Sequence, residues 1–253
     1  MKQSPTSRVT LEPAFVLHRY DWSESSLIVE VFTRHHGRVA MVAKGAKRPA
    51  SNFRPVLLPM QPLRLTYSGD AEVRTLKNAE WVGGYAMPSG NALLTGFYLN
   101  ELMMRLLVRD DPHEIIYDVY AQTVSVVATN SNNNSLIAAA LRAFELLVLH
   151  HMGWLPNLTV VTQTQQIVEA DALYYLTSDS GLRVAIEDDA LPLMGHQWQK
   201  LGDFSEKSFA DVLSILGAAP LMAQALRTQL RPLLNYHCGQ PLKTPQMMMA
   251  LLR

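Results

Sequence analysis

A run of basic side chains near the start of the chain is the first feature whose residue types could do chemistry. From Val31 to Gly69 the sequence contains no Asp or Glu, and its cations are Arg34, Arg38, Lys44, Lys47, Arg48, Arg54 and Arg64. Cations at this density create a positive field that attracts phosphate groups. The stretch therefore predicts either a surface that binds nucleic acid or a solvated basic face that keeps a small domain soluble.

The net charge of the whole chain hides this bias. With 22 Lys+Arg and 22 Asp+Glu in 253 residues, the formal net charge is zero. Residues 1–80, however, carry 12 of the cations and 7 of the acids, so that segment has a balance of +5 and the remainder a balance of −5. Opposite signs in the two parts indicate a different partner for each.

Other kinds of chemistry find little support in the residues. The single cysteine, Cys238, excludes an internal disulfide, a multi-cysteine zinc site and a cysteine-ligated iron–sulfur cluster. The sequence lacks the phosphate-binding loop of ATPases, the nucleophile elbow of hydrolases and the zinc-protease motif. The pairs His35-His36 and His150-His151 are poor chelators, because neighbouring side chains point in different directions. We therefore expect no cofactor, no metal, and a binding protein rather than an enzyme.

Short strands must position the basic side chains. The first 80 residues contain five runs rich in Val, Ile, Leu, Phe and Tyr, which are Ala14–Tyr20, Ser26–Phe32, Arg38–Ala43, Leu63–Tyr67 and Glu72–Leu76. Five strands in a segment of this length predict a small closed barrel, and the OB-fold is the commonest five-stranded barrel. An SH3-like barrel or part of a sandwich stays open from the spacing alone.

The rest of the chain changes to a helical period near residues 80–90. Helices are predicted over Ala92–Arg109, from Asp111 to near Ala128, and over Leu136–His151, Ser208–Leu216, Pro220–Leu234 and Thr244 to the end. Residues 157–195 are mixed, with a short hairpin around Ser180-Gly181. The predicted fold class is therefore α+β, with a barrel domain over 1–80 and a mainly helical domain over 81–253. Since no signal peptide or membrane span is visible, we expect a soluble, cytoplasmic protein.

Several blocks of the sequence resemble one known family. In chain order these blocks are Phe15–Leu27, Val31–Thr33, Gly37–Val39, Val42–Pro49, Gly96–Leu102, Leu141–Leu147, Gly153 and Pro241–Thr244. Together they resemble RecO, the family of bacterial DNA repair and recombination mediators. Each block is modest alone, but their order over nearly the whole chain is specific.

The resemblance implies an amino-terminal OB-fold, a helical domain and no catalytic turnover. Proteins of this family bind single- and double-stranded DNA and anneal complementary strands, which implies association with the nucleoid. With the partner RecR they help RecA displace single-strand-binding protein (SSB), and they dock the acidic C-terminal tail of SSB on the helical domain. Many members carry a four-cysteine zinc finger, but Asn157 to Arg183 contains no cysteine. Zinc is therefore not expected, and packing must hold this insertion.

The OB-fold interpretation assigns roles to single residues. Such barrels bind single strands with a cationic groove and with aromatic rings that stack on bases, so the predicted phosphate contacts are Arg34, Arg38, Lys44, Lys47, Arg48 and Arg54. Phe53 is predicted to stack on a base or, alternatively, to lie in the barrel core, and Trp22 and Tyr20 are further possible platforms. The resemblance makes Arg142 the predicted cation for the SSB tail; the alternative for Arg142 is an ordinary surface salt bridge.

Two rival functions share part of this pattern. An RNA-binding or translation-type OB-fold module would have the same basic barrel, but it leaves the helical blocks unexplained. A hydrolase that uses Cys238 or a histidine pair would need a base that nothing in the sequence specifies. Comparing single-stranded DNA with RNA separates the first rival, and unchanged DNA binding without turnover in a Cys238→Ala variant removes the second.

Overall fold

The hydrophobic runs at the start of the chain form strands that close into a barrel. The computed structural model describes residues 8–84, 87–202, 204 and 206–244, and its first strands are β1 (Arg8–Asp21), β2 (Leu27–Thr33), β3 (Gly37–Ala43), β4 (Leu63–Ser68) and β5 (Val73–Trp81). Their hydrogen-bonded order is β1-β2-β3-β5-β4, and β1 pairs with β4 to close the barrel. β3 and β5 run parallel, whereas the other pairs are antiparallel. This order confirms the predicted OB-fold and sets aside the SH3-like and sandwich alternatives.

Alternating side chains fill the barrel. Val29 and Val31 of β2 are fully buried in its core. The opposite face of β2 is buried as well, because helices that follow the barrel cover it: the ring of Phe32 lies 5.3 Å from that of Tyr117. Each such apolar side chain contributes about 1.5–3 kcal/mol by leaving water, so both faces of this strand stabilise the fold.

Two helices belong to the same compact unit as the barrel, and they are α1 (Gly90–Leu106) and α2 (Glu114–Thr129). A register shift in β1 between Val16 and His18 leaves Leu17 outside the strand ladder. Asn100 of α1 supplies the missing donor, because its Nδ2 donates to the Leu17 carbonyl at 2.9 Å. The Tyr120 hydroxyl of α2 donates to Asn100 Oδ1 at 2.6 Å. One buried amide thus fixes both helices on the first strand.

The end of the described chain returns to α1. The backbone N–H groups of Lys243 and Thr244 each donate to the carboxylate of Glu101 at 2.8 Å, and the Thr244 hydroxyl donates at 2.7 Å. Burial alone would raise the pKa of Glu101, but these hydrogen bonds hold it below its ordinary value. The helix predicted from Thr244 onward lies outside the described residues.

A second compact unit spans Asn130–Leu242, and its elements are α3 (Asn134–His151), β6 (Leu173–Thr177), β7 (Gly181–Val184), β8 (Leu193–Met194), α4 (Gly195–Leu201), α5 (Phe209–Gly217) and α6 (Pro220–His237). The fully buried Gln229 of α6 joins helix to sheet, because its Oε1 accepts from the Leu176 N–H at 2.8 Å and its Nε2 donates to the Leu191 carbonyl at 2.9 Å. The predicted hairpin and the predicted helices over this unit are confirmed. α4 was not predicted, because seven residues are too few to show a helical period.

The insertion over residues 157–195 is held together without cysteine ligands. Leu158, Tyr174 and Leu182 are buried there. Arg183 donates to both carboxylate oxygens of Asp189, at 2.7 and 2.8 Å, and such two-point pairs fix geometry well. Within the described ranges, no group of three His, Cys, Asp or Glu side chains is placed to hold a metal ion. Apolar packing and this two-point ion pair therefore help to hold the segment, together with the hydrogen bonds of Gln229 to Leu176 and Leu191.

The compact units divide the chain at a different place from the predicted domain join. The first unit holds the described part of Met1–Thr129 and of Lys243–Arg253, so α1 and α2 group with the barrel. The boundary between domains over 1–80 and 81–253 stays a prediction. Among the residues described, no single helix is long and apolar enough to cross a membrane; α5 and α6 reach that length and character only together, as a pair bent by 114°.

Candidate nucleic-acid interface

The end of β3 opens into a tight loop that presents cations. Gly45 takes a left-handed conformation with a φ of 71°, which a residue with a Cβ adopts only with strain. The chain then turns, so that the N–H of Arg48 donates to the Gly45 carbonyl at 3.1 Å. The N–H of Lys47 donates to the Ser25 carbonyl at 2.9 Å and ties this loop to the one between β1 and β2. Lys44 and Arg48 are therefore presented from a fixed backbone.

Lys44 and Arg48 lie between two surface cavities, and both cations line each of them. The Trp22 cavity has a volume of about 390 Å³ and is completed by Trp22, Ser23, Ser25, Ser26, Val42 and Gly45. The Phe53 cavity has a volume of about 450 Å³ and is completed by Gly45, Ala50, Ser51, Asn52, Phe53, Lys77 and Asn78. Both cations are exposed, and neither forms an ion pair within the described part of the chain. Two such cations between two cavities suit an extended polyanion.

The other predicted residues of this loop occupy different surroundings. Phe53 is half-buried and packs against the barrel core, and it also lines the Phe53 cavity. Phe53 therefore contacts the core, as the second alternative predicted, and its stacking on a base stays a prediction. Arg54 is exposed but lines neither cavity. The Nζ of Lys47 lies 2.8 Å from Asp21 Oδ1, so an acid already partners this cation.

Arg34 and Arg38, at the other end of β3, are partnered by acids and by backbone. Arg34 donates to both oxygens of Asp118 at 2.9 Å and lies 3.0 Å from Glu114. The hydrogen bond to Asp118 raises the pKa of Arg34 above its ordinary value. Arg38 donates to the carbonyl of Met104, and its Nε lies 3.8 Å from a buried oxygen of Glu30. The structure thus separates these two arginines from Lys44 and Arg48, and their predicted phosphate contacts remain untested.

Reasoning from the sequence did not include Lys77 among the cations of this surface. It named Trp22 only as a further platform. Lys77 lies on β5, whose parallel pairing with β3 brings it beside the loop. It falls outside the acid-free stretch, and only the parallel pairing could have placed it there. Trp22 is 65% exposed and lines a cavity, whereas the ring of Tyr20 packs edge-on against His18 at 4.5 Å.

Arg142 of α3 is buried rather than presented at the surface. Only 7% of the residue is exposed, and its Nη2 donates to Glu145 one turn along the helix. Its Nε has no hydrogen-bond partner in the part of the chain that the structure describes. The alternative of a surface salt bridge is therefore wrong, because the pair is buried. The role of Arg142 toward the SSB tail stays a prediction.

Comparison with known proteins places the chain among relatives over nearly its whole length. Residues 8–85 match the family domain described as "Recombination protein O N terminal", and residues 87–245 match "Recombination protein O C terminal". The chain is 58% identical over 247 residues to the DNA repair protein RecO of Variovorax paradoxus (strain S110), covering 95% of this chain and 96% of that protein. It is 55% identical over 249 residues to the DNA repair protein RecO of Polaromonas naphthalenivorans (strain CJ2), covering 97% and 98%. These matches, together with the closed barrel and the helical unit, show that the chain belongs to the RecO family.

Proposed function

We propose that this protein works in DNA repair and recombination as a mediator without catalytic turnover, and that it binds single- and double-stranded DNA through the surface between the two cavities. The observation that carries the proposal is the position of Lys44 and Arg48, which are exposed, lack acidic partners in the described chain and line both cavities. The names of its relatives support a role in DNA repair, and the cations without acidic partners support DNA as the ligand.

The geometry suits contacts with the phosphate backbone rather than with base edges. Lys44, Arg48 and Lys77 are exposed cations, and contacts between cations and phosphates carry no sequence information, so binding is expected to be independent of sequence. A basic surface that neutralises two strands lowers the repulsion between them and leaves their base edges free. Annealing of complementary strands follows from that property.

Partner binding belongs to the same proposal and is supported by membership of the family. We infer that the helical unit docks the SSB tail and that RecR joins the complex to help RecA displace SSB. Glu145 occupies Nη2 of Arg142, so a carboxylate of the tail would bind the guanidinium at Nε, which has no partner in the described chain. An Arg142→Ala variant is therefore expected to weaken binding of a tail peptide and to leave binding of naked DNA nearly intact.

The test of DNA binding is a charge reversal with a matched control. Lys44→Glu/Arg48→Glu is compared with Arg8→Glu/Arg64→Glu, which makes the same change in net charge at exposed residues that line neither cavity. Fluorescence anisotropy with a labelled single strand is expected to show an affinity loss of about 100-fold for the first variant and a few-fold for the second. Annealing of complementary strands should fall in parallel.

Three outcomes would contradict the proposal. Equal losses in both variants would show that overall charge rather than this surface governs binding. Unchanged affinity of the Lys44→Glu/Arg48→Glu variant would show that the loop of residues 44–48 does not bind DNA. Stronger binding to RNA than to DNA of the same sequence would favour the RNA-binding module instead.

A further inference from the structure

We propose that Trp22 stacks on one unpaired base in the Trp22 cavity and thereby makes this surface prefer single strands to duplex. The inference rests on the proposed DNA binding and goes beyond it, because it names the chemical form of the ligand at one cavity. That form is a single nucleotide within a strand, with its base on the indole and its phosphate beside Lys44 and Arg48.

The backbone holds Trp22 in an exposed position. Trp22 comes directly after β1, and the N–H groups of Trp22 and Ser23 both donate to the Ser26 carbonyl, at 3.3 and 3.4 Å. The N–H of Ser26 donates back to the Ser23 hydroxyl at 3.2 Å. The loop is thus fixed by its own hydrogen bonds, while 65% of Trp22 stays exposed. An exposed tryptophan beside a cavity lined by two cations is the arrangement with which single-strand-binding proteins stack a base and hold its phosphate.

The other tryptophans of the chain show what distinguishes this one. Trp198 is fully buried, and the ring of Trp154 stacks on that of His237 at 4.2 Å. Trp81 is 55% exposed in the same compact unit and also lines a cavity, but the side chains around it are Pro55, Val56, Leu58, Gln61 and Met87. Among the described residues, the cavity beside Trp22 is therefore lined by cations and the cavity beside Trp81 by none.

The lining of the Trp22 cavity suits both the base and the phosphate of a nucleotide. Lys44 and Arg48 supply charge for a phosphate, and three small polar residues, Ser23, Ser25 and Ser26, also line the cavity. Its volume of about 390 Å³ lies within the range of small-molecule sites. The acids nearest in sequence do not line it: Asp21 pairs with Lys47, and Glu24 is exposed.

Stacking on this indole discriminates between single strands and duplex. In a duplex both faces of an internal base are already covered by its neighbours, so only the phosphates can reach the cations. In a single strand a base can turn out and cover the ring, and alanine substitutions show that such stacking is a substantial part of affinity at sites of this kind. Every base has an apolar face, so the preference does not depend on sequence.

The experiment uses the full chain with three DNAs: a single strand, the same strand with abasic residues, and the corresponding duplex. Trp22→Ala is expected to weaken binding of the base-bearing strand by about tenfold and to leave the abasic strand and the duplex within about twofold of the parent, because those two offer phosphates but no free base face. Trp22→Phe should retain most of the affinity. Trp81→Ala is the matched control, expected to bind all three DNAs like the parent.

The outcomes separate this inference from the proposed function. If the parent binds all three DNAs and Trp22→Ala binds the base-bearing strand equally well, DNA binding stands and the stacking inference is wrong. An equal loss on all three DNAs also overturns the inference, since it would assign Trp22 to the structure of the loop. If the parent binds none of the DNAs, the proposed function itself fails.

Discussion

The two ends of β3 place their cations in opposite surroundings. At the closed end, formed by the turn between β2 and β3, Arg34 binds Asp118 and Glu114, and Arg38 lies against Glu30. At the open end, formed by residues 44–48, Lys44 and Arg48 line two cavities. β3, with seven residues and a length of roughly 20 Å, thus separates two kinds of cation. The arginines at one end are paired within the protein, and Lys44 and Arg48 at the other end are available to a ligand.

The two glycines at these ends show the same difference. Gly37 and Gly45 both have a φ near 70°, but their surroundings differ. A Cβ on Gly37 would lie 2.0 Å from the Asp111 carbonyl oxygen, whereas a Cβ on Gly45 would meet only the flexible Arg48 side chain at 3.6 Å. The closed end is packed against backbone and the open end is not. Density of cations in a sequence is therefore a weaker guide to binding than the packing around each cation.

The largest expected difference is that removing an acid destabilises the closed end far more than the open end. Glu30 is 1% exposed and binds Arg109, while Arg38 lies nearby. Glu30→Ala removes the buried carboxylate that these two arginines face. We therefore expect the free energy of unfolding to fall by about 3–5 kcal/mol in urea titrations. Asp21→Ala at the open end removes an exposed partner of Lys47. This variant should change the free energy of unfolding by at most about 1 kcal/mol. Similar losses in both variants would mean that the two ends are held alike.

A smaller difference is expected between two alanine substitutions of glycine. Both variants strain a left-handed backbone, at about 1 kcal/mol. Gly37→Ala must also move the backbone of Asp111, which adds about 1–3 kcal/mol. Thermal unfolding followed by circular dichroism should therefore show a clearly lower Tm for Gly37→Ala than for Gly45→Ala. The opposite order would contradict the view that the turn, rather than the loop, is packed against the α1–α2 connection.

Much of the barrel was predictable because its signals are local. Period-2 alternation in β2 and the turn residues between strands placed all five strands, and the acid-free stretch led to Lys44 and Arg48. The parallel pairing of β3 with β5 was not local, and it is what brings Lys77 beside the loop. The helical period beyond residues 80–90 predicted the helices and the domain order, and the family resemblance agreed with both.

The pairing of Arg34 could not be predicted from the stretch that contains it. Its partner Asp118 lies 84 residues further along the chain. A stretch without acids in the sequence can therefore still have acids beside it in the folded protein. The burial of Arg142 was hidden for a related reason. Its partner Glu145 is visible one turn ahead on the same helix, but the packing that buries both side chains comes from elements distant in sequence.

The smallest expected effect is an alkaline titration of Tyr67, whose ring lies 6.1 Å from that of His36 in the turn at the closed end. Burial raises the pKa of Tyr67 from 10.0 to about 12, with Arg74 opposing the shift and Glu12 supporting it. Because the folded-state pKa lies above the unfolded value, the neutral phenol contributes stability that is fully present below pH 10 and is lost as the pH rises through 12. Tyr67→Phe should remove one late step from the tyrosinate absorbance titration and flatten the loss of stability across that window. If Tyr67→Phe instead removes a step near pH 10 and leaves the stability profile unchanged, water reaches this ring, and the closed end would then resemble the open one.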